Sequence, residues 1–229
     1  MRAVFLDRDG VICENRPDHV KSWDEFRFLP GALPGLIKLA QADFAVVVIT
    51  NQAIINRSIA SSDMVRDIHA RMIEAVRAAG GRIDRVMVCP HRPEEHCVCR
   101  KPQPGLILQA TAELGIELSS SYLVGDATTD VQAGLAAGCQ CFMVVTGRGM
   151  RQSARAVADT RADFRFARDL QHAVDMILQS GDSVNGARIA TPPERAASVR
   201  QPMHSFGFSF DFARGKAQDK PALHGRAHS

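Results

Sequence analysis

Short apolar runs alternate with longer amphipathic stretches along this chain. Val4–Leu6, Ala45–Ile49, Val86–Val88, Tyr122–Val124 and Phe142–Val145 are runs with few polar interruptions. Runs of this length predict strands buried on both faces of a parallel sheet. Between them, Leu33–Ala42, Ser62–Ala79, Gly105–Leu114 and Val131–Ala137 read as helices. The second is the clearest: Val65, Ile68, Met72 and Val76 recur at helical spacing, Ser61 or Ser62 can cap its start, and Gly80-Gly81 can end it. Asp163–Phe166 and Leu170–Leu178 add a last short strand and helix. Strands alternating with helices predict an α/β fold built on a doubly wound parallel sheet.

After Gly181 the pattern stops. The segment is rich in Ala, Arg, Pro, Gly and Ser and keeps no period. It carries seven Lys and Arg against four Asp and Glu from Asp182 onward, so the whole formal charge of +3 falls there. The expected organisation is therefore one domain over residues 1–181 and a basic, disordered tail over 182–229. Within the tail, Phe206–Phe212 alternates like a strand and could join a sheet edge here or on a partner.

Composition excludes several classes. The hydrophobic fraction of 45% and charged fraction of 23% are ordinary for a soluble domain. No apolar run is long enough to span a bilayer, which argues against a membrane partner. The first strand starts at the N-terminus with no signal peptide, so a cytoplasmic location is expected. The small net charge gives no footprint for nucleic acid. A monomer is the expected state.

Four segments carry candidate chemistry. The first strand runs into Asp7-Arg8-Asp9-Gly10. An aspartate can accept a phosphoryl group and split one displacement into two. A second carboxylate two residues on can protonate the leaving oxygen and then activate water. The second strand ends in Thr50-Asn51-Gln52, where a hydroxyl and backbone N–H groups can cradle phosphate oxygens. Arg100-Lys101-Pro102 leads into a helix. Lys101 can neutralise phosphate and nucleophile as a point charge, while Arg100 can grip a second oxyanion with its fork. A further strand ends in Gly125-Asp126, and Asp126 can offer a carboxylate to a hard cation such as Mg²⁺. Asp130, four residues later, reads as a helix cap or a supporting residue.

Six cysteines without a signal peptide argue against a disulfide framework. Cys139 and Cys141 flank the start of a strand and read as small buried residues. Cys89-Pro90-His91 followed by Cys97-Val98-Cys99 is different. Three thiolates and one imidazole in one short loop match a closed, tetrahedral structural zinc site. The loop immediately precedes Arg100-Lys101-Pro102 and can hold that basic pair in place.

The acid pair, Thr50, Lys101 and Gly125-Asp126, in this order, resemble the haloacid dehalogenase (HAD) superfamily of Mg²⁺-dependent phosphotransferases over about Arg2 to Leu178. The resemblance implies a Rossmann-like sheet of the HAD type. It implies Asp7 as nucleophile, Asp9 as general acid/base, and Thr50 and Lys101 on the phosphoryl group. Mg²⁺ would be held by Asp7, the backbone carbonyl of Asp9, and Asp126. The zinc loop with Arg100-Lys101-Pro102 is similar to the branch of D-glycero-D-manno-heptose-1,7-bisphosphate 7-phosphatases and histidinol-phosphatases. The short inserts leave no room for a large cap domain, so loops would read the substrate: Asn15–Asp18, with Asn15 and Asp18 as candidates, Thr50–Ala53 including Asn51 and Gln52, the zinc loop and Arg100. Two positions depart from the heptose enzymes, in which both touch substrate. Ala53-Ile54 follow Thr-Asn-Gln where Ser-Gly is usual, and Ala127 follows Gly-Asp where Lys is usual. Histidinol phosphate or another small phosphosugar is the alternative substrate. A non-catalytic scaffold with a partner-binding tail is the alternative of a different class.

Overall fold

The computed structural model describes residues 1–160, 163–182 and 208–209. Strand β1 (Ala3–Leu6) lies between β2 (Ala45–Asn51) and β4 (Tyr122–Gly125) in a sheet that runs β6 (Arg165–Ala167), β5 (Gln140–Val144), β4, β1, β2, β3 (Arg85–Cys89), β7 (Phe208–Ser209). Strands β1 to β6 are all parallel. Helices α1 (Ala32–Ala40), α2 (Ser62–Ala78), α3 (Gly105–Leu114), α4 (Thr128–Ala137), α5 (Gly149–Thr160) and α6 (Leu170–Asp182) connect and flank them. The doubly wound sheet expected from the alternation is the one observed.

Every residue of β1 and every residue of β2 from Ala45 to Thr50 is buried. This explains why these runs are apolar at consecutive positions. Their side chains alternate between two cores. Val4, Leu6, Val46 and Val48 meet α1, α2 and α6 on one face. Phe5, Val47 and Ile49 meet α3 and α4 on the other.

The chain builds outward from β1 to β2 and β3, then returns to the other side of β1 as β4. The reversal lies between β1 and β4, and open α/β sheets bind ligands in the crevice outside such strand ends. Asp7 follows β1 and Asp126 follows β4, so both sit at that crevice.

Local signals set most helix ends. The Ser61 side chain accepts the Met64 N–H at the start of α2. Asp130 reaches back to accept the Ala127 N–H at 2.9 Å, which is the capping role read from the sequence. Cys139 and Cys141 are buried beside and within β5, as expected for small strand residues. Helix α5 was not anticipated. Among its residues Gly149 and Ala156 are buried. Phe208–Ser209 forms β7, antiparallel to β3, which matches the strand-like alternation there. The rest of the expected tail lies outside the described residues. No helix among the described residues is long and apolar enough to cross a membrane.

Candidate active site

Asp7 is 5% exposed at the end of β1. Its Oδ1 accepts the Arg8 N–H at 2.7 Å and lies 2.9 Å from Lys101 Nζ. Lys101, 3% exposed, also pairs with Asp130 Oδ1 at 2.7 Å and donates to the Ile49 carbonyl at 2.8 Å. A single buried ammonium therefore ties the ends of β1 and β2 to the first turn of α4. Burial alone would push Lys101 down, but the Asp130 and Asp7 charges outweigh it and raise its pKa. Asp7 moves the other way. Burial lifts its pKa to about 6, against the pull of Lys101 and with help from the Asp130 and Asp9 charges.

Asp126 is fully buried. Two glycines make room for it: a Cβ on Gly10 would lie 2.0 Å from Asp126 Oδ2, and one on Gly147 would lie 2.3 Å from the same oxygen. Both have positive φ, +91° and +56°, which glycine adopts freely. The Arg148 N–H donates to Oδ2 at 2.8 Å and its guanidinium reaches Oδ1 at 3.1 Å. Burial and the Asp7 charge raise the Asp126 pKa, with Arg148 opposing. Single oxygens of Asp7, Asp126 and Asp130 lie within 4.8 Å of one another. Two carboxylates raised by burial, Asp126 also by the Asp7 charge, form a donor set that suits a hard divalent cation. Asp130 caps α4 through Oδ2 and pairs with Lys101 through Oδ1; Asp7 and Asp126, at the ends of β1 and β4, are the donors that could hold the ion from the crevice.

Asp9 is held differently. Arg8 Nη2 is 2.9 Å from both carboxylate oxygens, and Gln52 Nε2 donates to Oδ2 at 2.8 Å. Burial would raise its pKa, but the Arg8 charge and these hydrogen bonds lower it overall. Gln52 Nε2 also donates to Thr50 Oγ1 at 2.8 Å. Asn51 binds the Lys101 backbone in both directions, at 3.1 Å each. Gln52 and Asn51, read as substrate-facing, thus spend these side-chain bonds on the protein itself.

The remaining expected residues divide. Asn15 Nδ2 approaches Asp126 Oδ2 at 3.4 Å, which brings its loop to the crevice. Arg100 Nη1 donates to the His91 carbonyl at 3.0 Å. Asp18 is exposed and pairs locally with Arg16 and Lys21. The departures are turned inward: Ala53, Ile54 and Ala127 are 8%, 1% and 2% exposed. Ile54 packs with Ala60 and Val65. Sequence reading missed Arg148, Asp130 as a Lys101 partner, and the Arg8 fork. Thr146-Gly147-Arg148 follows a strand end, as the other site segments do, and that position was the available signal.

Cys89, Cys97 and Cys99 place their sulfurs 3.4–3.6 Å apart, with His91 Nδ1 3.3 Å from Cys99 and 3.6 Å from Cys89. A tetrahedral ion with metal–sulfur bonds of about 2.3 Å sets its sulfurs about 3.8 Å apart. The four residues therefore fit Zn²⁺ closely, with four protein ligands and no open position. The hydrogen bond with Cys99, and then burial, push the Cys89 thiol up, while hydrogen bonds with Cys89, Cys97 and His91 bring the Cys99 thiol down to about 5.

Comparison with known proteins agrees with this geometry. The family model described as "HAD-hyrolase-like" matches residues 98–173. A D-glycero-beta-D-manno-heptose-1,7-bisphosphate 7-phosphatase of Bordetella bronchiseptica is 36% identical over 179 residues, which cover 78% of this chain and 99% of the relative. The enzyme of that name from Neisseria meningitidis is 40% identical over 151 residues, 66% of this chain and 81% of the relative. The crystal structure of D,D-heptose 1,7-bisphosphate phosphatase from B. bronchiseptica, complexed with magnesium and phosphate, superposes with a TM-score of 0.75 at 36% identity, covering 79% of this chain and 99% of that one. The strand-end carboxylates, the buried lysine and the sulfur loop have the same explanation as these likenesses: the chain belongs to the HAD family of phosphatases, in the branch that holds the heptose-1,7-bisphosphate 7-phosphatases.

Proposed function

We propose that the chain hydrolyses the 7-phosphate of D-glycero-β-D-manno-heptose 1,7-bisphosphate through a phosphorylated Asp7. The observation that carries this reading is the meeting of Asp7, Lys101 and Asp126 at the β1/β4 crevice. The names of relatives aligned over nearly their full length supply the substrate. Arg8 N–H and Lys101 both bind Oδ1 of Asp7, which orients the carboxylate and leaves Oδ2 to attack phosphorus. The Asp7 oxygen–phosphorus bond forms as the ester bond to the sugar breaks, and Asp9, which must enter this step protonated against the pull of Arg8, passes that proton to the leaving oxygen. Asp9 then takes a proton from water as the water oxygen attacks phosphorus, releasing phosphate and restoring Asp7.

Thr50 accepts from Gln52, so its own hydroxyl proton is directed to a phosphoryl oxygen. Lys101 offsets charge on the same group. Asp7, Asp126 and the Asp9 carbonyl would hold Mg²⁺, which when bound neutralises charge on the transferred oxygens. Arg100, beside the zinc loop, grips the retained phosphate with the guanidinium donors that His91 does not use. Asn15 and Asp18 meet the sugar.

The test is Mg²⁺-dependent phosphate release from both anomers of heptose 1,7-bisphosphate and from histidinol phosphate. The β-anomer should be preferred, and Asp7→Asn should release none. Faster turnover of histidinol phosphate would overturn the substrate, and no release from any phosphomonoester in a broad panel would overturn the activity.

A further inference from the structure

One buried pair of side chains, Arg8 and His69, has no part in the steps above. Arg8 stands between the two catalytic aspartates and is 1% exposed. Arginine seldom reaches such burial without partners. One edge of its guanidinium lies on Asp9, through Nη2 at 2.9 Å to each oxygen and Nε at 3.3 Å to Oδ1. Nη1 points to α2 and meets Nε2 of His69 at 3.0 Å. A guanidinium has no acceptor, so Nε2 must accept and the ring proton sits on Nδ1. His69 is 3% exposed and shares the buried face of α2 with Val65, Ile68, Met72, Ile73 and Val76. Burial first, and then the Arg8 charge, push its pKa down to about 3, so the ring stays a neutral acceptor.

A carboxylate–guanidinium pair alone can swing as a unit. Asp9 keeps 22% of its side chain exposed, so the pair has an open side into which to move. The imidazole supplies a third point of attachment, on a helix anchored in the core. Gln52 and the Cys13 thiol, which donate to Asp9 at 2.8 and 3.5 Å, hold the carboxylate from other directions. The charged and titratable groups around Arg8 and Asp9 are thus Asp7, Cys13 and His69.

We propose that His69 is a positioning residue for proton transfer: it fixes Arg8, and Arg8 sets the orientation of the Asp9 carboxylate toward the leaving oxygen and the attacking water. The inference rests on the assignment of Asp9 as the proton-transfer group. Misplacing a reacting group by an ångström can cost about a hundredfold in rate, and a partly loosened Asp9 should cost about tenfold.

The experiment compares wild type, His69→Leu, His69→Gln and Asp9→Asn by kcat, KM and melting temperature, with rates taken well below every melting point. His69→Leu removes the acceptor at similar volume and should lower kcat about tenfold while KM stays within about twofold. His69→Gln, whose Oε1 can accept from Nη1, should recover most of kcat. A purely structural role would lower the melting temperature without this split, and glutamine would do no better than leucine. That result, or a His69→Leu kcat within about twofold of wild type, overturns the proposal. If Asp9→Asn turns over like wild type, the assignment of Asp9 fails first. If Asp9→Asn is inactive and His69→Leu is not impaired, the His69 inference alone fails. Should His69→Leu not fold, His69→Met carries the same test, because it fills the volume with at most a weak acceptor for Nη1.

Discussion

Two ligand clusters lie on either side of the Arg100–Lys101 step, and they are neutralised in opposite ways. The oxygen cluster is surrounded by the protein's own cations: Lys101 between Asp7 and Asp130, Arg148 on Asp126, Arg8 on Asp9. The sulfur cluster has its own members as neighbours, three thiols and an imidazole in mutual contact. A carboxylate cluster balanced by built-in cations can fold before its metal arrives. Crowded thiols must lose protons to bind a metal and have little reason to stay together otherwise. The contrast assigns Mg²⁺ to chemistry and Zn²⁺ to architecture.

The sharpest break of this contrast is Asp7→Asn. It should abolish phosphate release and leave the melting temperature equal or higher, since it neutralises a carboxylate that burial already disfavours. A large loss of stability would mean that Asp7 is structural. Lys101→Met leaves Asp7 and Asp130 facing each other in the interior without their cation. Breaking a buried pair in this way costs about 3–5 kcal/mol, so denaturant titration should show the loss together with inactivation. Cys97→Ser should remove the zinc measured by metal analysis and lower the melting temperature by roughly 5–10 °C. Activity should fall with it, because the loop that positions Arg100 comes loose, and added Mg²⁺ should not restore it.

His69 gives a smaller, pH-dependent effect. Its folded pKa is about 3, while an unfolded histidine titrates near about 6.5. Below that pH the unfolded chain takes up a proton that the folded chain refuses. The stability linked to this ring is complete above about pH 6.5 and falls by about 1.4 kcal/mol per pH unit toward pH 3. Unfolding at pH 7.5 and pH 5 should therefore show a steeper acid loss in wild type than in His69→Gln, and equal slopes would contradict a buried neutral ring. The smallest effect is expected at Asp18, an exposed residue paired with Arg16 and Lys21. Asp18→Asn should leave melting unchanged, because exposed pairs contribute little, and any kinetic change should appear in KM alone.

The sequence by itself determined the strands, most helices and the chemistry at the strand ends. Unbroken apolar runs leave no face for water, so they fix a parallel sheet and place the polar residues that follow at its edge. Cys89, His91, Cys97 and Cys99 were legible because a closed metal loop is local, set by spacing within a few residues. Helix α5 was not read from the sequence: it is polar overall and buries small residues, Gly149 and Ala156, rather than a run of large apolar ones. Tertiary structure decided which charges meet. Lys101 pairs with Asp130 as well as Asp7, Arg148 covers Asp126 from the next strand end, and His69 reaches Arg8 from α2 across 61 positions of chain. None of these contacts has a spacing in sequence, because each is set by the crossing of separate strands and helices. Low dielectric at the sheet edge then turns proximity into pairing. The same packing buried Ile54 and Ala127, which their places beside Thr-Asn-Gln and Gly-Asp did not foretell.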